Sequence, residues 1–407
     1  GFPSLFGELP QIASLFRKFY IVDGTDDGGI IVDPVTYTVS DWSATTGTAP
    51  WDGSPADYMR LICAYRGRLV LARGSTNPTM WYMTRVGAPT DFNYNSSPLS
   101  TAAYAGSIGD AGQPGDTITA LIPFSDDYLF FGCASSIAML EGDPGYQGSV
   151  QTITTKTGIL GPRAWCVDHK GNFFFMGMGG LYTMPRGARD FVNVSGRRLV
   201  NFLDRINLST TLVHMAFDAF RRYVHVWFTA TNGVDNNNHC VYDPETDAFW
   251  IDQHPLEFGP WAACDSTGGS YVDMGWLIGG NDGYVRRPYD LSFDDDTQDI
   301  DSWVEIGPFF MDSGDITSVV TEIQAEIGSG SGNITWYWFT GDSAELVAAQ
   351  DFGEEVASGT FSADRNTPVR IRKRGGAHKI RLRNVSNDEN WSVEQIRGWF
   401  MPGGRRR

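Results

Sequence analysis

The side chains best able to ligate a metal or relay a proton are six histidines and five cysteines. The histidines are His169, His214, His225, His239, His254 and His378, and the cysteines are Cys63, Cys133, Cys166, Cys240 and Cys264. The cysteines are widely spaced and odd in number, with no CxxC pair and no histidine at metal-ligand spacing, so we read them as reduced core residues of a protein made in a cytosol. The histidines fall on different repeats of the chain. His214 and His225 have apolar neighbours and read as core or strand-end residues rather than general bases. No GxSxG elbow or other nucleophile-base signature is present. Paired carboxylates for sugar cleavage meet only in three dimensions, and sequence spacing is silent on them. Asp294, Asp295, Asp296, Asp299 and Asp301 superficially suggest a calcium loop. The run has no internal Gly and no closing bidentate Glu, so it reads as a solvated acidic linker over 291–303. The glycine-rich pieces at 109–116, 177–180 and 328–333 are not followed by helices, so they are turns rather than phosphate cradles. We expect no catalytic residue, no metal and no cofactor.

Charge narrows the partners. The chain has 407 residues, 31 Lys and Arg against 48 Asp and Glu, and a net charge of −17. That argues against a protein gripping nucleic acid by neutralising its phosphates. Basic residues nevertheless gather near the end: Arg370, Arg372, Lys373, Arg374, Lys379, Arg381, Arg383, Arg405, Arg406 and Arg407. On alternating strand positions they would form one positive edge, either guarding against aggregation or docking an acidic partner surface or another copy of the chain. No run of about 18 apolar residues is present, so no membrane span is expected, and the opening residues lack the pattern of a secretory leader.

Glycine, tryptophan, tyrosine and phenylalanine number 47, 13, 16 and 25, a composition suited to many short strands joined by tight turns. The organising unit is Phe124–Asp143, where strands YLFFG and IAMLEG flank a turn, CASS, around Ser135 and Ser136. One hairpin buries too little apolar surface to stand alone in water. The chain repeats it: strands FYIV, GIIVD and TYTVSDW over 19–42, then LICAY and RLVLA about Arg66 and Gly67, then FFFMG and LYTMP after His169. After a helical candidate at 195–206, further copies lie on either side of Phe220 and Gly268. Turns recurring near Arg66, Asp126, His169, Phe220 and Gly268, about 43 to 60 residues apart, match one four-stranded blade per repeat. With the first sheet they suggest about six blades of a β-propeller. Trp227, Trp250, Trp261 and Trp276 are then expected between blades. Beyond the acidic linker, strict alternation in VTEIQAEI, ITWYWF and HKIRLRN predicts a separate antiparallel β-sandwich. The expected organisation is all-β, a propeller over 1–303 and a sandwich with a basic edge over 304–407.

Several runs resemble podophage tail nozzle proteins of the tail tubular B, or tail stabilisation, type: YRGRLVLA, NPTMWYMTRVGAPTDFNY, GDTITALIPFSDDYLFFGCASSIAMLEGDP, TGILGPRAWCVDHKGNFFFMGMGGLYTMP and the ending IRGWFMPGGRRR. The resemblance covers roughly residues 60–255 and rests on fold-bearing rather than catalytic motifs; residues 1–58 depart from it. It implies a non-enzymatic bacteriophage virion protein, made in the host bacterial cytoplasm and placed in the tail. Six copies would form a homohexameric DNA-ejection conduit beneath the portal and head-to-tail adaptor, anchoring a tail fibre, spike or needle protein. Viral double-stranded DNA would pass without sequence-specific binding. Two other readings fit a propeller: a tail-associated glycosidase or depolymerase, and a glycan-binding host-recognition protein.

Overall fold

The computed structural model describes residues 10–405 except 26–27, 112–115, 188–189, 197, 200–211, 229–237, 255–258, 268–273, 281, 289–293, 296–297, 312–315 and 387–388. The expected helix at 195–206 lies largely outside the described residues, as do Gly268, Asp296, Arg406 and Arg407.

The fold is all-β. Two compact units are formed, Gly1–Arg287 and Pro288–Arg407, divided ahead of the expected boundary at residue 303. The acidic stretch explains the difference. Asp294–Asp295 pairs with Gln298–Asp299, and Asp301 binds Arg383, so the supposed linker already belongs to the second unit.

In the first unit, six antiparallel sheets succeed one another among the described residues, five of four strands and the last of three. They open with Gln11–Leu15, Met59–Tyr65, Ile118–Pro123, Trp165–Val167, Val213–Asp218 and Pro260–Thr267. Each sheet is a meander, the layout of propeller blades. The turn residues expected near Arg66, Asp126, His169 and Phe220 all fall between the first and second strands of their sheets. At Arg66 and Gly67 both φ values are positive, 49° and 71°, which is the conformation a two-residue hairpin turn requires. Gln11–Leu15 lies outside the strands expected from sequence. Its turn uses Phe16 and Arg17, also at positive φ, and carries no Gly or Asn to announce it.

Opening strands of neighbouring sheets lie side by side: first against second, second against third, fourth against fifth, and fifth against sixth. Between the third and fourth sheets, Arg163 donates Nη1 to Trp261 O and Nη2 to Pro10 O, both at 3.0 Å. The start and end of the series therefore meet on one guanidinium. Apolar clusters lie between successive sheets rather than in one central core. Phe173 stacks on Phe130 at 5.8 Å, joining third and fourth sheets. Each such fully buried ring contributes about 2–3 kcal/mol by leaving water. The second and third sheets are joined by Arg68, which is fully buried. It donates to the carbonyls of Thr84, Ser100 and Ala102 and pairs with Asp143 at 3.3 Å. Tyr65 Oη donates to Gly142 O beside it.

In the second unit, one sheet runs Ser302–Phe309, Ala377–Asn384, Ile334–Gly341, Ala357–Phe361. The other is centred on Ile316–Ile327, with Asp364–Arg365 and Val369–Gly375 on one side and Val393–Arg405 on the other. Alternate residues of both sheets, including Ile323, Ala325, Trp336, Trp338, Ile380 and Leu382, share one core. A short helix, Ala344–Ala349, lies between the strands Ile334–Gly341 and Ala357–Phe361. Ser343 caps it by accepting from Leu346 N, satisfying one orphan donor of the first turn.

Candidate functional site

The structure corrects the basic edge. Arg370, Arg372, Lys373 and Arg374 are exposed on Val369–Gly375, which is an outer strand. Arg370 faces Glu322 at 3.4 Å and Arg374 donates to Thr317 Oγ1. Lys379, Arg381 and Arg383 instead lie on Ala377–Asn384, a central strand of the other sheet, with Lys379 and Arg381 buried. Lys379 Nζ binds Glu305 at 2.9 Å and donates to Gln350 O at 2.7 Å. Arg381 reaches Glu305 and Asp351 and lies 4.1 Å from the Phe352 ring centroid. Arg383 forms a two-pronged pair with Asp301, which holds its guanidinium above the usual range. These three cations are spent inside the domain, because the helix at 344–349 and the segment after it cover their side of the sheet. Arg405 ends the Val393–Arg405 strand, paired to Ile316.

The larger correction concerns the histidines. Four of the six converge on the fifth sheet, built from Val213–Asp218, Tyr223–Phe228, Asn238–Asp243 and Ala248–Gln253. Its register sets His214 opposite Trp227, Trp227 opposite His239, and His239 opposite Asp252. His225 and His254 are two residues from Trp227 and Asp252, so the pleat turns them to the same face. The rings stack: His214 on Trp227 at 5.6 Å, Trp227 on His239 at 4.9 Å, and His239 on His254 at 5.0 Å. Trp276 of the sixth sheet closes over His225 at 5.3 Å. Hairpins of nearly equal length produced this ladder. The spacing 214, 227, 239, 252 along consecutive strands was the signal that considering each histidine alone did not use.

Hydrogen bonding within the cluster is incomplete. His225 Nδ1 and His239 Nε2 share a bond of 2.9 Å, and Trp227 Nε1 donates to His254 Nε2 at 3.2 Å. His225 Nε2, His239 Nδ1 and both ring nitrogens of His214 are buried without a hydrogen-bond partner. Asp252 Oδ2 lies 3.4 Å from His239 Nδ1, near enough for its charge to act on the ring. Burial lowers the pKa of all three buried imidazoles: His214 to about 3, aided by the charge of Arg163; His225 well below its usual value, aided by His239; and His239, where Asp252 partly opposes the shift. Neutral imidazole is the form that ligates metals. One ligand atom each from His239, Asp252 and His254 lies within 4.8 Å of the others, the metal-ligand grouping found among the described residues. His239 is buried, His254 half-buried and Asp252 exposed, so the group opens to solvent on one side.

The remaining candidates resolve simply. Cys63, Cys133, Cys166 and Cys240 are buried, as expected of core residues, whereas Cys264 is exposed. Trp227 and Trp276 lie in the apolar contact between fifth and sixth sheets. Trp250, expected there, is instead 39% exposed and packs edge-on against Tyr223.

No family model and no curated protein matches the chain. Solved structures match the chain only at low similarity. The extracellular domain of a hybrid two-component system from B. thetaiotaomicron is 10% identical at a TM-score of 0.44, over 91% of this chain and 42% of that one. YCF48 bound to D1 peptide is 11% identical at 0.41, over 68% and 76%. The Malassezia sympodialis allergen Mala s 1 is 13% identical at 0.38, over 69% and 90%. The chain thus spans less than half the length of the first of these. Likenesses this distant carry no functional argument. Among the described residues no helix is long and apolar enough to cross a membrane.

Proposed function

We propose that the chain is a structural virion protein of a short-tailed bacteriophage, a nozzle subunit of which six copies surround the tail axis below the portal and adaptor. The six meander sheets are read as six blades of a closed propeller, and the second unit as a β-sandwich. One observation carries the reading. The runs resembling tail nozzle proteins supply the residues that pin neighbouring sheets together, with Tyr65 and Arg68 of YRGRLVLA held by Gly142 and Asp143 of the AMLEGDP run. The resemblance therefore falls on the frame of the fold. An acidic chain suits a conduit for DNA, since a wall that bound phosphates would retard the duplex. The ring contact is assigned to a heterologous pair of patches, one of them the exposed set Arg370, Arg372, Lys373 and Arg374, the other on the acidic first unit. Lys379, Arg381 and Arg383 drop out of that set.

Negative-stain electron microscopy of the purified chain, alone and with adaptor protein, tests this. Six-fold rings with a centre open enough for a DNA duplex are expected in at least the second preparation. Single particles in both would overturn it and direct effort to glycan binding and cleavage. Reversing the charges of Arg372, Lys373 and Arg374 together is expected to abolish ring formation while leaving the monomer folded.

A further inference from the structure

We propose that His239, Asp252 and His254 form a binding site for a divalent transition-metal cation of the zinc class, with His225 as a positioning residue behind His239. The inference stands apart from the nozzle reading, since it rests on the fifth sheet alone.

Two imidazoles and one carboxylate form a donor set suited to zinc, cobalt, nickel or copper rather than to calcium or magnesium, which take oxygen ligands. The contact between His225 Nδ1 and His239 Nε2 fits either tautomer, and a cation would select one. If His239 carries its proton on Nε2, that N–H donates to His225 Nδ1 over the observed 2.9 Å, and the Nδ1 lone pair is left facing Asp252. A ligating histidine whose second nitrogen donates to a fixed acceptor is the usual arrangement at metal sites, because it locks ring orientation and raises basicity. Without a cation, His239 Nδ1 is a buried nitrogen lacking a partner in a residue only 4% exposed, an arrangement that costs stability and that a metal would relieve.

Zinc bonds of about 2.0–2.1 Å place tetrahedral ligand atoms roughly 3.3 Å apart, closer than the 4.8 Å limit within which these three lie. Closure falls to the two accessible ligands. The rings of His239 and His254 lie 24° from parallel, so His254 must turn to aim a nitrogen at a shared cation, and doing so loosens its contact with Trp227. Asp252 is exposed on the outermost strand of the sheet, with its carboxylate already 3.4 Å from His239 Nδ1. A fourth position would remain for water or a ligand from a partner.

The test uses the full chain stripped with chelator and titrated with Co²⁺ alone, followed by visible absorption and intrinsic tryptophan fluorescence. One saturable equivalent per chain is expected, with d–d bands of a tetrahedral site, a fluorescence change from Trp227, and displacement by Zn²⁺. Asp252→Asn and His254→Gln alter accessible side chains and keep the fold, checked by circular dichroism; each is expected to weaken binding at least about tenfold. His225→Gln is expected to weaken it about tenfold while preserving the one-to-one stoichiometry. Absence of a saturable Co²⁺ site, or wild-type affinity in both D252N and H254Q, would overturn the proposal.

Discussion

Each unit of this chain aims a tryptophan N–H at an imidazole, but the histidines around the two bonds end in opposite conditions. In the second unit, Trp338 Nε1 donates to His378 Nδ1 at 3.3 Å, and His378 Nε2 lies 2.9 Å from Ser318 Oγ. Because indole only donates, the proton of neutral His378 is on Nε2, which donates to the serine. Every polar atom of that ring is used. In the fifth sheet of the first unit, Trp227 fixes His254 in the same way, yet His225, His239 and His214 retain buried nitrogens without partners. Burial keeps both sets neutral. A satisfied histidine locks packing, whereas an unsatisfied one retains a lone pair for a ligand, and incomplete hydrogen bonding rather than burial separates the two.

Removing the histidine should break this contrast most severely in the second unit. His378→Ala strands the Trp338 donor in a new cavity and is expected to cost about 3 kcal/mol in urea unfolding. His214→Phe should have the opposite sign. It keeps the ring on Trp227 and deletes two unpartnered nitrogens, for a gain of about 1 kcal/mol by the same measurement. Acid sharpens the comparison further. His378 and His214 have pKa values lowered from 6.5 to about 4 and about 3. As pH falls below 6.5 the unfolded chain therefore takes up protons first. Their contributions are complete above that pH and are lost progressively toward the folded values. H214F is thus expected to lose less stability than wild type between pH 6.5 and 4. The smallest effect belongs to Asp252→Asn in metal-free protein, which should unfold within about 0.5 kcal/mol of wild type because the carboxylate is exposed.

The sheets were legible because side-chain alternation and Gly or Asp turns report local backbone. Tyr128–Cys133 and Ile137–Glu141 fall where their apolar runs and intervening serines place them. The strand at Gln11–Leu15 was hidden by a turn made from Phe16 and Arg17, ordinary residues at positive φ. Alternation in HKIRLRN identified two faces of a strand without revealing that the helix at 344–349 would cover the charged one, so Lys379 and Arg381 were expected outside. The histidine cluster was missed for a related reason. Register between strands depends on hairpin length, and a stack formed across four strands leaves only equal spacing as its trace.

Long-range ¹⁵N–¹H correlation spectra of the histidine rings, recorded on the metal-free full chain and again after one equivalent of Zn²⁺, test the central contrast directly. The account predicts that His378 is neutral and protonated on Nε2 in both spectra. It also predicts that His239 Nδ1 moves to the shift of a metal-bound nitrogen while its Nε2 holds the proton. A His239 that keeps its metal-free shifts, or a His378 that responds to zinc as His239 does, would contradict it.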